Sequence, residues 1–278
     1  MTILALLHPA AAQVGTGFSV HASTVVGIVA LGGVYEWAGR RVAAAPPNGP
    51  SAGQRAAFFL GLLVLFFRLN GPLHDLSDTY LFSAHMVQHL VLTLVVPPLL
   101  VAGTPGWMLR PLLRPRAVRR LAEFVTRPGA CFLIFNVVLT AWHLPPMYNM
   151  ALAHHPVHIV QHLFFLAAAV LMWWPLLSPL PELPRLSYPG QMLYCFLMTI
   201  PMSVVAICVT MADRILYPAY TVAPRVWGIT PMDDQHYGGL IMWIPGGLFF
   251  YGVMTVVFAK WATRGQGADE AEAAQATA

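Results

Sequence analysis

Two stretches of this chain are near copies: His85-Met86-Val87-Gln88-His89-Leu90 and His158-Ile159-Val160-Gln161-His162-Leu163. Each sets two imidazoles at i and i+4, which an α-helix stacks one turn apart on a single face. Neutral imidazole is the commonest metal-ligating side chain. Two such pairs facing each other would offer four nitrogens to one ion. Gln88 and Gln161 sit between the paired histidines; a carboxamide is a weak ligand, and the expected role is to orient a histidine or bridge two helices. His143, His236 and Asp234 are further candidate ligands, Asp234 with the alternatives of orienting a histidine or capping the helix it precedes. Imidazole suits copper, zinc, iron and nickel. Met86, Met147, Met150, Met202, Met211, Met232, Met242 and Cys208 add soft donors that tilt the choice toward Cu(I), most methionines nonetheless being core packing. HMVQH lacks the glutamate of HExxH, so zinc hydrolysis is not indicated. Haem held axially by His89 and His162 is the alternative reading. A third is a scaffold whose histidines bind no metal.

The elements that must position these residues follow from composition. Hydrophobic residues make up 58% of the 278 and charged residues 9%, against about 25% charged in a soluble domain. Three cysteines without a CxxC spacing indicate neither a disulfide framework nor a zinc ribbon. Apolar stretches near 19–38, 56–73, 79–102, 129–147, 157–177, 188–210 and 239–261 predict an all-α, polytopic integral membrane protein, a bundle of seven transmembrane helices. Pro97-Pro98, Pro175, Pro201 and Pro245 predict kinks. The organisation expected is an outer segment over 1–18, a membrane domain over 19–261, and a disordered cytoplasmic tail over 262–278, rich in Ala, Glu, Gln and Gly. Ala10-Ala11-Ala12-Gln13 has the small residues of a cleavage site, but no Lys or Arg precedes the apolar run, so a short outer N-terminus is expected rather than a signal peptide.

Direction comes from charge. All lysines and arginines except Arg68, Arg214 and Arg225 fall in the odd loops and the tail, which places the N-terminus outside and the C-terminus in the cytoplasm. Every histidine then lies on the outer side, together with Asp75, Asp78, Asp213, Asp233 and Asp234. The third and fifth spans run in parallel, so their histidine pairs enter at one depth, His89 and His162 ~6 Å deeper than their partners. The arginine-rich loop over 110–127 reads as a topology signal with attraction for anionic lipid, and nucleic acid is not an expected partner. The loop over 211–238, with Tyr217, Tyr220 and Trp227, either caps the histidine vestibule or forms an interfacial belt. Gly238-Gly239 allows close helix approach. The last span has no lysine at mid-depth, which argues against a retinal pigment.

The run Phe82-Ser83-Ala84-His85-Met86-Val87-Gln88-His89-Leu90, followed by Val96-Pro97-Pro98-Leu99-Leu100, resembles the Bacillus-type CtaG family of cytochrome c oxidase (caa(3)-type) assembly factors. Trp142-His143-Leu144-Pro145 with Tyr148-Asn149 is similar to a second block of that family, and Asp234-Gln235 with Gly238-Gly239-Leu240-Ile241-Met242-Trp243 to a third. The resemblance covers roughly residues 20 to 260. It implies a seven-span protein of the bacterial plasma membrane, not an enzyme, that meets cytochrome c oxidase subunits and serves maturation of a haem-copper oxidase. The single-span copper-delivery protein that shares the name is distinct. The residues supply what the resemblance does not: copper held between the third and fifth spans by His85, His89, His158 and His162, with His143, His236 and Asp234 as additions, and passed on by ligand exchange.

Overall fold

A computed structural model describes residues 18–41, 46 and 49–276, with side chains as far as Arg264. His8 and the Ala10–Gln13 stretch lie outside the described residues, as does most of the expected outer segment. The described chain is helical, with no strand. Helix α1 (Ala22–Arg41) precedes α2 (Ala52–Arg68), whose start is a capping box: Gln54 N donates to Ser51 Oγ and Ser51 N donates to Gln54 Oε1.

The second apolar stretch, expected as one straight span over 56–73, is broken. Helix α3 (Pro72–Thr79) leaves α2 at 50°. The cause is Asn70-Gly71-Pro72. Gly71 has φ +76°, which a β-carbon disfavours, and Pro72 lacks an N–H and so opens a new helix. Asn70 ties the break to the N-terminal side of α1, accepting from His21 N at 2.7 Å and donating to Phe66 O at 2.8 Å.

Helix α4 (Phe82–Leu90), a π turn (Val91–Val95) and α5 (Val96–Gly103) make one span. The π turn follows from Pro97-Pro98. The carbonyl of Thr93 would bond Pro97 N in an α-helix and Pro98 N in a π-helix, and neither nitrogen has a hydrogen. The orphaned Thr93 carbonyl instead accepts from the Trp173 indole at 2.9 Å, and the N–H of Val96 turns to Val91 O. Of the prolines expected to kink spans, these two deform theirs; the others sit within unbroken helices.

Helix α6 (Gly106–Leu109), a 3-10 turn (Arg110–Leu113) and α7 (Arg116–Val125) lead to α8 (Pro128–His143), bent 76° from α7. Leu144 is extended, as a residue before proline must be, and α9 (Pro145–Ala153) follows. Then come α10 (His155–Leu177), α11 (Tyr188–Thr210), a 3-10 turn (Pro218–Tyr220) and α12 (Pro231–Ala276). Helix α12 runs through the stretch expected as a disordered tail, where Ala, Glu and Gln favour helix.

Among the described residues, five helices are long and apolar enough to cross a membrane, and up to seven spans result if each bent pair counts as one. Exposed Val26, Leu60, Leu133, Leu163, Leu193 and Leu248 make the outside of the bundle apolar, as lipid requires. Helices α4 and α10 are parallel. Their starts meet where His85 stacks on His158, and the 3-10 turn after α6 (Gly106–Leu109) meets the loop after α10 through Arg110 Nε and Glu182 Oε1 at 2.8 Å. Helix α12 lies close on α4 and α11 because Gly238 and Gly239 face Phe82 and Thr210; a β-carbon at either glycine would clash.

Candidate metal centre

The helix that carries His85 and His89 is fixed at its start by Asp234. Asp234 Oδ2 accepts from Phe82 N at 2.6 Å; Oδ1 accepts from Ser83 N at 3.0 Å and Ser83 Oγ at 2.5 Å. A carboxylate here satisfies first-turn N–H groups and complements the helix dipole. Both oxygens are engaged, so Asp234, expected as a ligand or a cap, stands as the cap of α4. Next to it, Gln235 accepts from Leu216 N at 2.7 Å and donates to Arg214 O at 3.2 Å, anchoring the preceding loop. His236 is half-buried with Nε2 3.4 Å from the carbonyl of Ala212; it does not join the histidine group, contrary to expectation. Its register on α12 turns it toward the end of α11, away from α4.

The two histidine pairs do meet. The rings of His85 and His158 stack at 5.5 Å, and His158 and His162 lie 4.2 Å apart, centroid to centroid. One donor nitrogen from each of His85, His158 and His162 falls within 4.8 Å of the others. His85 Nε2 and His89 Nε2 are 2.8 Å apart. Two nitrogens bound to one ion at about 2.0 Å sit roughly 3 Å apart, so the separations need only a modest contraction. The His89 ring lies 6.0 Å from His162 and 5.7 Å from His143. His143 Nδ1 donates to Leu139 O at 2.7 Å, which directs the Nε2 lone pair away from its own helix. Among the described residues, His85 Nδ1, His89 Nδ1 and His143 Nε2 are buried without a hydrogen bond. Such nitrogens are costly unless something polar or cationic meets them.

Two charged groups that the sequence reading left outside the site border this cluster. Asp78 of α3 places Oδ2 3.4 Å from His158 Nδ1 and 3.5 Å from His74 Nε2. A carboxylate on one ring nitrogen holds the proton there and raises the basicity of the other, the usual support of a metal-binding histidine. The signal was available: His74 and Asp78 are themselves an i, i+4 pair. Arg68, 1% exposed, ends α2 against His162, with Nη1 3.3 Å from Nδ1 and Nη2 3.1 Å from Nε2. An arginine inside an apolar stretch is by itself a pointer to function. Gln88 fills its expected bridging role. It donates to Arg68 O at 2.8 Å, and Arg68 Nε donates back to Gln88 O at 3.2 Å. Gln161 is buried, yet its amide nitrogen meets no partner among the described residues.

A row of rings leads outward from the cluster. His74 packs against His21 at 4.7 Å, and His21 faces half-buried His155 at 6.5 Å. Over the cluster lies an aromatic roof supplied largely by the loop before α12. Tyr220 OH donates to Ser77 O at 3.0 Å and therefore accepts from Tyr148 OH, also at 3.0 Å, while Tyr217 OH donates to His143 O at 2.9 Å. Tyr148 packs 5.2 Å from His85, and Phe82 stacks on Tyr217 at 4.7 Å. Burial pushes the Tyr217 and Tyr220 hydroxyls up, so they remain donors. Of the two roles open to this loop, capping is the one that Tyr217 and Tyr220 serve, while Trp227 is exposed.

Residues 33–264 match the family described as cytochrome c oxidase caa3 assembly factor (Caa3_CtaG). Uncharacterized proteins of Mycobacterium bovis and Mycobacterium tuberculosis are each 25% identical over 231 residues, 77% of this chain and 35% of theirs. An uncharacterized protein of Mycobacterium leprae is 25% identical over 226 residues, 76% of this chain and 34% of its own. The chain thus spans about a third of the length of these relatives. No solved structure matches it.

Proposed function

We propose that this chain, which belongs to the cytochrome c oxidase caa3 assembly factor family, serves assembly by holding copper as cargo among His85, His89, His158 and His162. It is a multi-pass protein of the bacterial plasma membrane. The observation that carries the proposal is the convergence of imidazoles from two parallel helices, with donor atoms of His85, His158 and His162 within 4.8 Å of one another. Asp78 supports His158 as a ligand, and the cap by Asp234 sets the height of His85 and His89.

The surroundings favour carriage over permanent retention. Arg68 brings a positive charge to the edge of the cluster, which opposes any cation bound at His162. His162 and Arg68 also line a cavity of about 200 Å³ between α1, α2 and α10, walled by Leu31, Leu65 and Leu166. Through that lateral opening an oxidase subunit in the same bilayer offers competing ligands, and the ion passes by exchange. The chain's role is then transfer of an ion, not turnover of a substrate. The haem alternative, with His89 and His162 as axial ligands, finds less support: the cavity that His89 lines is about 20 Å³ and the one that His162 lines about 200 Å³, neither room for a porphyrin.

Elemental analysis of the detergent-purified protein, from cells grown with added copper, tests the reading. Copper should co-purify with the wild type, and about one equivalent per chain should be lost in His85→Ala with His158→Ala, an expectation from the loss of two ligands. Wild-type copper retention in that folded double variant would remove these residues from the site. Normal oxidase maturation in cells carrying it would favour the metal-free scaffold instead.

A further inference from the structure

We infer that the chain has a second, deeper seat for a soft monovalent cation of the Cu(I) or Ag(I) class, at the cavity where His89 and His143 meet Met86, Met202 and Met242. All five line one internal space of about 20 Å³, large enough for a single water-sized body. Its two imidazoles each keep one buried ring nitrogen without a partner, His89 Nδ1 and His143 Nε2. For His143 the tautomer follows from the bond to Leu139 O, which takes the Nδ1 proton and leaves Nε2 a bare lone pair. His85 Nε2 and His89 Nε2 share one proton; with it on His89, His89 Nδ1 is a second lone pair on the same space, and the two nitrogens call for a cation or a donor.

The thioethers decide which. They come from three helices, α4, α11 and α12, and their approach is arranged sterically. Gly238, Met242 and Gly246 recur every four residues and share one face of α12. A β-carbon at Gly238 would lie 3.2 Å from Met86 Cγ; one at Gly246 would lie 2.7 Å from Met202 Cε and 3.1 Å from its Sδ. Absent side chains on either side of Met242 therefore admit the other two methionines. Thioether with imidazole selects Cu(I) over harder ions. A lone water would hydrogen-bond the nitrogens and gain little from sulfur. His89 serves one seat at a time, through Nε2 beside His85 or through Nδ1 here, so with both seats filled the first rests on His85, His158 and His162. The inference rests on the reading that the chain handles copper, and its test separates the two.

The full chain, labelled with selenomethionine and held in lipid nanodiscs under reducing conditions, is titrated with Cu(I). Selenium-edge X-ray absorption should show a copper neighbour. Met86→Leu, Met202→Leu and Met242→Leu together, a volume-conserving change, should abolish that neighbour and lose one equivalent of bound copper while an imidazole-bound ion remains. His85→Ala with His158→Ala should lose copper yet keep the selenium–copper signal. A wild-type selenium spectrum without copper at saturation overturns the inference, leaving the cavity to water. So does survival of the signal in the leucine variant. If the histidine variant loses no copper while selenium still sees copper, the first site fails and this one stands.

Discussion

The guanidinium of Arg68 reaches both nitrogens of the His162 ring, Arg68 being buried and His162 half-buried. An imidazole accepts at one nitrogen only, so the arginine occupies a ligand position that a metal ion must win. At an effective dielectric of about 20, two unit charges 4 Å apart repel by roughly 4 kcal/mol. Arg68→Gln keeps a donor for the Gln88 carbonyl and removes the charge. Cu(I) affinity, measured by competition with a chelator, should then tighten by at least about tenfold; an unchanged affinity would show that Arg68 does not oppose the ion. The histidine spacing made the pairs legible from sequence, since i, i+4 on a helix guarantees a shared face. The identities of their neighbours were not, because Arg68 precedes its partner by 94 positions and Asp78 reaches His158 from a different helix.

Helix α4 is held at both ends by distant elements. At its start sits Asp234, 152 residues away. Past its end, the π turn hands the Thr93 carbonyl to Trp173 of α10. That bond sets α4 against α10 about one turn below His89 and about three turns below His162, and so sets the register in which the two pairs meet. Trp173→Phe keeps the aromatic packing but leaves a buried carbonyl unsatisfied, at a cost of about 1–3 kcal/mol. Its apparent melting temperature in detergent should drop more than that of Trp174→Phe, whose indole bonds Leu183 O from a less buried position. Equal shifts would deny the Thr93 bond its structural role. Helix α7 is a different kind of element. Val118, Leu121 and Phe124 are exposed beside Arg116, Arg119 and Arg120. With a 76° bend into α8, this is the form of a helix lying along a membrane surface. The arginines alone suggested a lipid-facing loop; the apolar spacing among them is what makes it helical.

Across the molecule the described histidines gather at one end of the bundle, and the Arg110–Glu182 contact marks the other. Which end faces the cytoplasm rests on the placement of the basic loops. Single cysteines in a background without Cys131, Cys195 and Cys208 test it. On intact spheroplasts a membrane-impermeant maleimide should label Asp213→Cys and spare Arg119→Cys until the membrane is opened. The opposite pattern would invert the molecule, turning the histidine vestibule to the cytoplasm and removing the proposed outward delivery of copper.

Membrane residence, helical class, family likeness and the two paired histidine faces were all readable along the chain. They depend on hydropathy, composition and helical period, which are local properties. The broken second span was readable in part, since Asn70-Gly71-Pro72 carries its own stop. The tertiary structure decided the rest: that Asp234 caps rather than ligates, that His236 stands apart, that Asp78 and Arg68 border the cluster with opposite charge, and that three methionines close on one cavity with His89 and His143. Helical period specifies which face a residue shares with its own neighbours in sequence. Only packing specifies what lies opposite that face, and coordination requires both.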